Sequence, residues 1–212
     1  MITVHRLVVG AIEENCYCLV NENKQALIID PGNDSQRIKE WIIKNEWQPQ
    51  AILLTHCHFD HIGAVDVMRD AFGIEAYVHP LERDFLTTPA LNLSTLWGGG
   101  SVSQRPAEKE WHTLGEQRVG DFSFRVAFVP GHSPGHVMYI FDEDALVVSG
   151  DLVFKRSVGR TDLPQGDFAQ LMQSIEREVL PLPHHYVLYT GHGDATTIAE
   201  ELAHNPYFEK FR

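Results

Sequence analysis

The 212-residue chain alternates between two spacings of apolar positions. In its first third, short apolar runs near 2–9, 15–20 and 25–30 predict strands. The last of them ends in Ile28-Ile29-Asp30-Pro31-Gly32, where Pro and Gly force a turn. Ile38, Trp41, Ile42 and Asn45 then follow helical spacing, with Asn33 or Asp34 as the expected N-cap. A strand over 51–55 follows, then a helix with Ile62, Val65, Met68 and Phe72 on one stripe, then a short strand near 75–79.

The last third returns to strands. Phe122, Phe124, Val126 and Phe128 alternate with Ser123, Arg125 and Ala127, the period of two of a half-buried antiparallel strand. Strands near 136–141 and 145–149, a helix near 167–179 and a strand over Tyr186-Val187-Leu188-Tyr189 complete the pattern, with a short helix after it. Phe168, Leu171, Met172, Ile175 and Val179 share one face of the longer helix. Residues 87–112, including Leu96-Trp97-Gly98-Gly99-Gly100, lack sustained periodicity and read either as a functional lid or as a variable loop. With no repeat, low-complexity tract or linker, one domain over 1–212 is expected.

Composition narrows the function classes. Hydrophobic residues at 43% and charged residues at 22% are globular proportions. A formal net charge of −12 disfavours nucleic acid and anionic membrane surfaces as partners. No apolar run reaches membrane-spanning length, and Met1–Leu7 shows no basic leader before a long apolar core, so no secretory signal is expected. Cys16, Cys18 and Cys57 form an odd set without a disulfide framework, so a reducing cytoplasm is the expected location.

The chemistry concentrates in His56-Cys57-His58-Phe59-Asp60-His61, directly after an apolar strand. Imidazole and carboxylate ligands suit zinc and similar metals and leave room for a bound water, unlike a closed thiolate site. Three more loops start where strands stop and carry ligand-type residues: Gly131-His132-Ser133-Pro134-Gly135-His136, Ser149-Gly150-Asp151 and Gly191-His192-Gly193. His136 is expected to form structural hydrogen bonds and not to coordinate, and Cys57 to point away from its neighbours' ligands.

The His-x-His-x-Asp-His motif and these loops resemble the metallo-β-lactamase superfamily, within it the glyoxalase II-like thioesterases, over nearly the whole chain. The resemblance implies an α/β fold, a four-layer αββα sandwich with the metal site at one edge of the two sheets. It implies two divalent metals, zinc first, with iron or manganese accepted by the same donors. His56, His58 and His132 would bind one ion; Asp60, His61 and His192 the second; Asp151 would bridge them, with Asp60 and Asp151 as the catalytic carboxylates. Ions about 3.5–4 Å apart share a hydroxide that can attack a small-molecule thioester such as S-lactoylglutathione. Asp30 resembles the family's orienting carboxylate, though an Asp before Pro-Gly also serves as a plain turn former. Arg160 falls where glyoxalase II enzymes carry a glutathione-contacting lysine, while Asp162 replaces a tyrosine. The alternative is a persulfide dioxygenase of the same fold, with one iron on His56, His132 and Asp151.

Overall fold

A computed structural model describes residues 1–96 and 100–212. The chain forms two compact units, Met1–His112 and Thr113–Arg212. The middle of the glycine-rich tract, at 97–99, lies outside the described residues.

The first unit is built on one six-stranded sheet in simple sequence order. Its strands are β1 (Thr3–Val9), β2 (Glu14–Val20), β3 (Gln25–Ile29), β4 (Gln48–Leu53), β5 (Glu75–Val78) and β6 (Lys109–Glu110). β1, β2 and β3 are antiparallel neighbours, whereas β3 to β6 pair in parallel. Parallel neighbours need crossovers, and helices lie in the first two of the three: α1 (Ser35–Lys44) after β3 and α3 (Val65–Phe72) after β4. Ile38 and Ile42 of α1 and Val65 and Met68 of α3 bury against Cys16, Cys18, Ile28 and Ile52 of the sheet. The one stripe expected over 62–72 is split. A single turn, α2 (Phe59–Ile62), precedes α3, and a further short helix, α4 (Arg83–Thr87), follows β5.

The expected N-cap of α1 also differs. Asp34 occupies the position but makes no capping bond, its backbone being left-handed at φ 51. Its carboxylate instead accepts the Gly10 N–H at 3.0 Å and the Arg37 guanidinium at 2.8 Å. A long-range tie to the β1–β2 hairpin has replaced local capping.

The second unit carries another six-stranded sheet, with strands in the order β14-β13-β10-β9-β8-β7. They are β7 (Gly115–Val119), β8 (Phe122–Phe128), β9 (Val137–Phe141), β10 (Leu146–Gly150), β13 (Val187–Thr190) and β14 (Thr196–Thr197). A separate two-stranded ribbon joins β11 (Val153–Phe154) to β12 (Ser157–Val158). Leu171 and Met172 of α5 (Phe168–Ser174) and Ile198 of α6 (Ile198–His204) bury with Met138, Ile140, Val147 and Leu188 of the sheet. The helix expected over 167–179 ends in a π turn, Ile175–Val179.

Strand direction decides where ligands emerge. β3 and β4 are parallel, so the loops holding Asp30 and His56–His61 leave the same edge of the first sheet. β8 and β10 are each antiparallel to β9, and β10 is parallel to β13. These three therefore run the same way, and His132, Asp151 and His192 all follow C-terminal ends at one edge of the second sheet.

Candidate metal centre

In the first unit, the chain leaves β4 at Leu53 and turns through Thr55 and His56 into α2. Asp30 organises this turn from the end of β3. Its Oδ1 accepts the Thr55 N–H at 2.8 Å; its Oδ2 accepts the Thr55 hydroxyl at 2.5 Å and faces His61 Nδ1 at 3.0 Å. Because the Thr55 hydroxyl donates to Asp30, its oxygen accepts from His56 Nδ1, 3.1 Å away. Both histidines thus carry their proton on Nδ1 and present Nε2 as a lone pair, the tautomer a metal ligand needs. Ligand-type atoms of Asp30, His56 and His61, all buried, lie within 4.8 Å of one another. The His58 ring meets the His56 ring edge-on, centroids 4.7 Å apart.

Close packing fixes the turn. A Cβ on Gly32 would fall 1.6 Å from the Asp60 carbonyl oxygen, and one on Gly63 would fall 2.3 Å from the Gly32 carbonyl. Only glycine allows the Asp30-Pro31-Gly32 turn to lie against α2. The buried Glu82 carboxylate accepts the Cys57 N–H at 2.9 Å, and the Asn92 carbonyl accepts the Phe59 N–H at 2.9 Å. The Asn92 backbone is thereby tied to the ligand helix. Burial, reinforced by the charges of Glu82 and Asp30, pushes the Cys57 thiol well above its usual range. It stays a neutral packing group in the core.

The second unit repeats the logic. His132 Nδ1 donates to the Arg160 carbonyl at 2.8 Å, which leaves Nε2 facing Asp151 Oδ2 at 3.4 Å. His192 Nε2 stands 3.6 Å from the same oxygen. In the first unit His61 Nε2 is 3.4 Å from Asp60 Oδ2. With metal–ligand bonds of about 2.1 Å, donors on adjacent corners of a tetrahedron stand about 3.4 Å apart. An imidazole nitrogen and a carboxylate oxygen at that spacing suit a shared cation. By donor chemistry these residues fit a metal of the zinc, iron or manganese type.

Gly159 packs where a Cβ would fall 1.8 Å from the Asp151 carbonyl oxygen and 3.4 Å from His132 Cβ. A Cβ on Gly131, at φ 139, would strike the backbone of Leu171 at 2.3 Å. His136 Nε2 accepts the Asp151 N–H at 3.1 Å, a structural bond that spends the lone pair a metal would use.

Arg160 and Asp162 pair through two parallel hydrogen bonds, 2.7 Å from Nε and 2.8 Å from Nη2. That bond to Asp162 raises the guanidinium pKa, and the bond from Arg160 lowers that of the Asp162 carboxyl. Sequence reasoning missed three contributors: the Arg160 carbonyl as anchor of His132, the Thr55 hydroxyl, and Glu14, buried with Oε1 3.8 Å from His61 Nδ1. Nothing in a single strand pattern marks Glu14, since its burial arises only from tertiary packing.

A family model described as the Metallo-beta-lactamase superfamily matches residues 9–192. The chain is 40% identical over 206 residues to "Probable metallo-hydrolase YqgX" of Bacillus subtilis (strain 168), covering 97% of each. It is 32% identical over 200 residues to "Hydroxyacylglutathione hydrolase GloC" of Haemophilus influenzae, covering 94% of each. Among solved structures it is similar to the crystal structure of BLEG-1 B3 metallo-beta-lactamase, at 43% identity and a TM-score of 0.96, over 98% of this chain and 100% of that one. It is also similar to TTHA1623 in a di-iron-bound form, at 35% identity and a TM-score of 0.86, over 96% of this chain and 99% of that one. The α/β fold expected from the resemblance, with two many-stranded sheets and helices, is borne out. No helix among the described residues is long and apolar enough to cross a membrane.

Proposed function

Because the chain belongs to the metallo-β-lactamase superfamily, we propose that it is a dinuclear metal-dependent hydrolase of small thioesters, with 1–212 acting as one catalytic domain. The observation that carries the reading is the imidazole–carboxylate spacing: His61, His132 and His192 each hold Nε2 3.4–3.6 Å from a carboxylate oxygen. On this reading His56, His58 and His132 would hold one ion and Asp60, His61 and His192 the second, with Asp151 available to both. Zinc, iron and manganese all suit these donors, and the di-iron form of TTHA1623 supports a paired site. Such ions lower the pKa of coordinated water toward about 7 and polarise the carbonyl under attack.

The chain's residues hold and orient this machinery. Asp30 and Thr55 fix the His56 and His61 rings, and the Arg160 carbonyl fixes His132. In the reaction, water oxygen bonds to the acyl carbon, the carbon–sulfur bond breaks, and a carboxylate, a thiol and a proton result. A thiol pKa near about 8.5 makes that leaving group depart without a strong general acid, which suits a site whose donors are committed to metal. The Arg160 guanidinium, oriented by Asp162, is the proposed contact for a carboxylate on the thiol carrier. The name of the Haemophilus relative supports a hydroxyacyl thioester as substrate. Three free, buried cysteines accord with a reducing cytoplasm.

Elemental analysis of the purified protein, coupled to a thioester panel and a persulfide assay, tests the reading. Two metals per chain and release of free thiol are expected, with both lost in His58→Ala and Asp151→Ala. Hydrolysis unchanged in those variants would overturn it. So would one iron per chain with oxygen uptake and sulfite from a persulfide, the outcome of a dioxygenase.

A further inference from the structure

Beside Asp60 the first unit holds a pocket of about 160 Å³. Val9, Ala11 and Ile12 of the β1–β2 hairpin, Phe59 of α2 and Val102 supply its apolar lining. Asn33 and Ser94 add polar edges, and Asp60 is the one charged group among the described residues that line it. We propose that this pocket receives the acyl group of the substrate and that it selects short aliphatic acyl chains.

The inference rests on the thioesterase reading and goes further by choosing which half of the substrate enters here. A thiol carrier such as a peptide brings carboxylates that need cationic partners. The described lining has no cationic side chain and is mostly apolar, so it offers a charged carrier no partner and suits an apolar acyl chain. Asn33 Oδ1 accepts the Asp34 N–H at 2.7 Å, which orients its amide nitrogen as a donor for a hydroxyl on the chain. Size sets the limit: an apolar cavity of about 150 Å³ takes a benzene-sized guest, so about six heavy atoms fit.

The walls are held in place. The hairpin turn closes through the Glu13 N–H to the Gly10 carbonyl, and Asp34 ties the Gly10 N–H to the start of α1. Elsewhere in the lining Ser94 Oγ accepts the Val102 N–H at 3.0 Å, and the buried Asn92 donates its side-chain amide to the Phe85 and Val102 carbonyls. The same Asn92 binds the Phe59 backbone, so pocket wall and ligand helix share one anchor.

The test uses the full-length, metal-loaded protein and a series of acyl N-acetylcysteamine thioesters from acetyl to decanoyl. kcat/KM is expected to rise about fourfold for each methylene taken into the pocket, peak near four to six carbons, and then fall. Ala11→Phe and Val102→Phe, each checked for native circular dichroism, narrow the pocket from two different segments of its lining. Each is expected to lower the hexanoyl-to-acetyl ratio of kcat/KM at least tenfold. A flat chain-length profile, or one that neither variant moves, overturns the pocket assignment while leaving thioester hydrolysis in place. If no thioester is turned over, the hydrolase reading fails, and amide chemical shifts decide the pocket under titration with the neutral hexanamide. Shifts at residues 10–12, 94 and 102 that disappear in Ala11→Phe sustain it; their absence in the native protein overturns it.

Discussion

The Thr55 hydroxyl and Asp30 Oδ2, 2.5 Å apart, link histidines proposed for two different metals. Asp30 holds His61 directly, and Thr55 passes the same anchor on to His56. Thr55→Val keeps the shape and removes the relay, so Asp30 loses the hydroxyl donor and His56 Nδ1 loses its contact with the hydroxyl oxygen. Losing such an orienting contact costs about 10–100-fold in metal affinity. Metal titration followed by competition with a chelator is expected to show weakening of that size in Thr55→Val and recovery in Thr55→Ser. Equal affinities for the valine and serine variants would remove Thr55 from the network.

Gly159 touches the Asp151 carbonyl so closely that a methyl group has no room. The contact is with backbone, which cannot rotate away, so Gly159→Ala must displace Asp151 or its loop. Overpacking of this kind costs about 1–3 kcal/mol. The more telling readout is metal content, because Asp151 faces both His132 and His192. The variant is expected to fold, melt lower and bind less than one metal per chain. Full occupancy in a protein of lowered stability would show that the loop tolerates the shift.

Much of this arrangement is legible in the sequence, for a physical reason. Strands buried on one or both faces leave a period or an apolar run, so β1, β2, β3, β5 and β8 appear near their observed limits. Ligand residues preceded by glycine at strand ends mark the site. What stays hidden depends on contacts distant in sequence. β7, Gly115–Val119, alternates Glu116, Gln117 and Arg118 and carries no apolar period. Asp34 looks like a helix cap but spends its carboxylate on Gly10. The π turn continues the apolar spacing of α5 and so leaves no break to read. The anchors of the ligand rings are equally silent, since a backbone carbonyl such as that of Arg160 carries no residue signal at all.

Acid is expected to weaken the second unit through Asp142. Its carboxyl pKa is held below the usual value by the hydrogen bond from Arg125, with help from Tyr186 and against a penalty from burial. A depressed folded pKa means stabilisation that is complete above the unfolded value of about 3.9 and is lost as pH falls through the folded one. The pair is partly exposed, with Arg125 Nε 2.6 Å from Asp142 Oδ2, so its share is at most about 1 kcal/mol. The stability gap between the native protein and Asp142→Asn, measured by urea unfolding, should therefore shrink toward zero between pH 5 and pH 2, a window set around that unfolded value. A gap that widens on acidification would contradict the assignment.

Metal removal should destabilise the fold as well as silence it. His56, His58, His61 and His132 are buried, and Nε2 of His61 and of His132 each faces a carboxylate oxygen at 3.4 Å. A cation bridges those pairs only in the folded chain, so binding adds to folding stability. With free metal at about 100 times its Kd the gain is about 2.7 kcal/mol. For a chain of this length that corresponds to a Tm shift of about 5–10 °C. Scanning calorimetry before and after chelation, with metal content verified on the same samples, is expected to show this loss and its reversal on adding zinc or iron. His58→Ala should melt near the chelated protein and respond less to added metal. Superimposable melting curves with and without bound metal would mean that the histidines and carboxylates are held by the scaffold alone, and that ions contribute nothing to its folding.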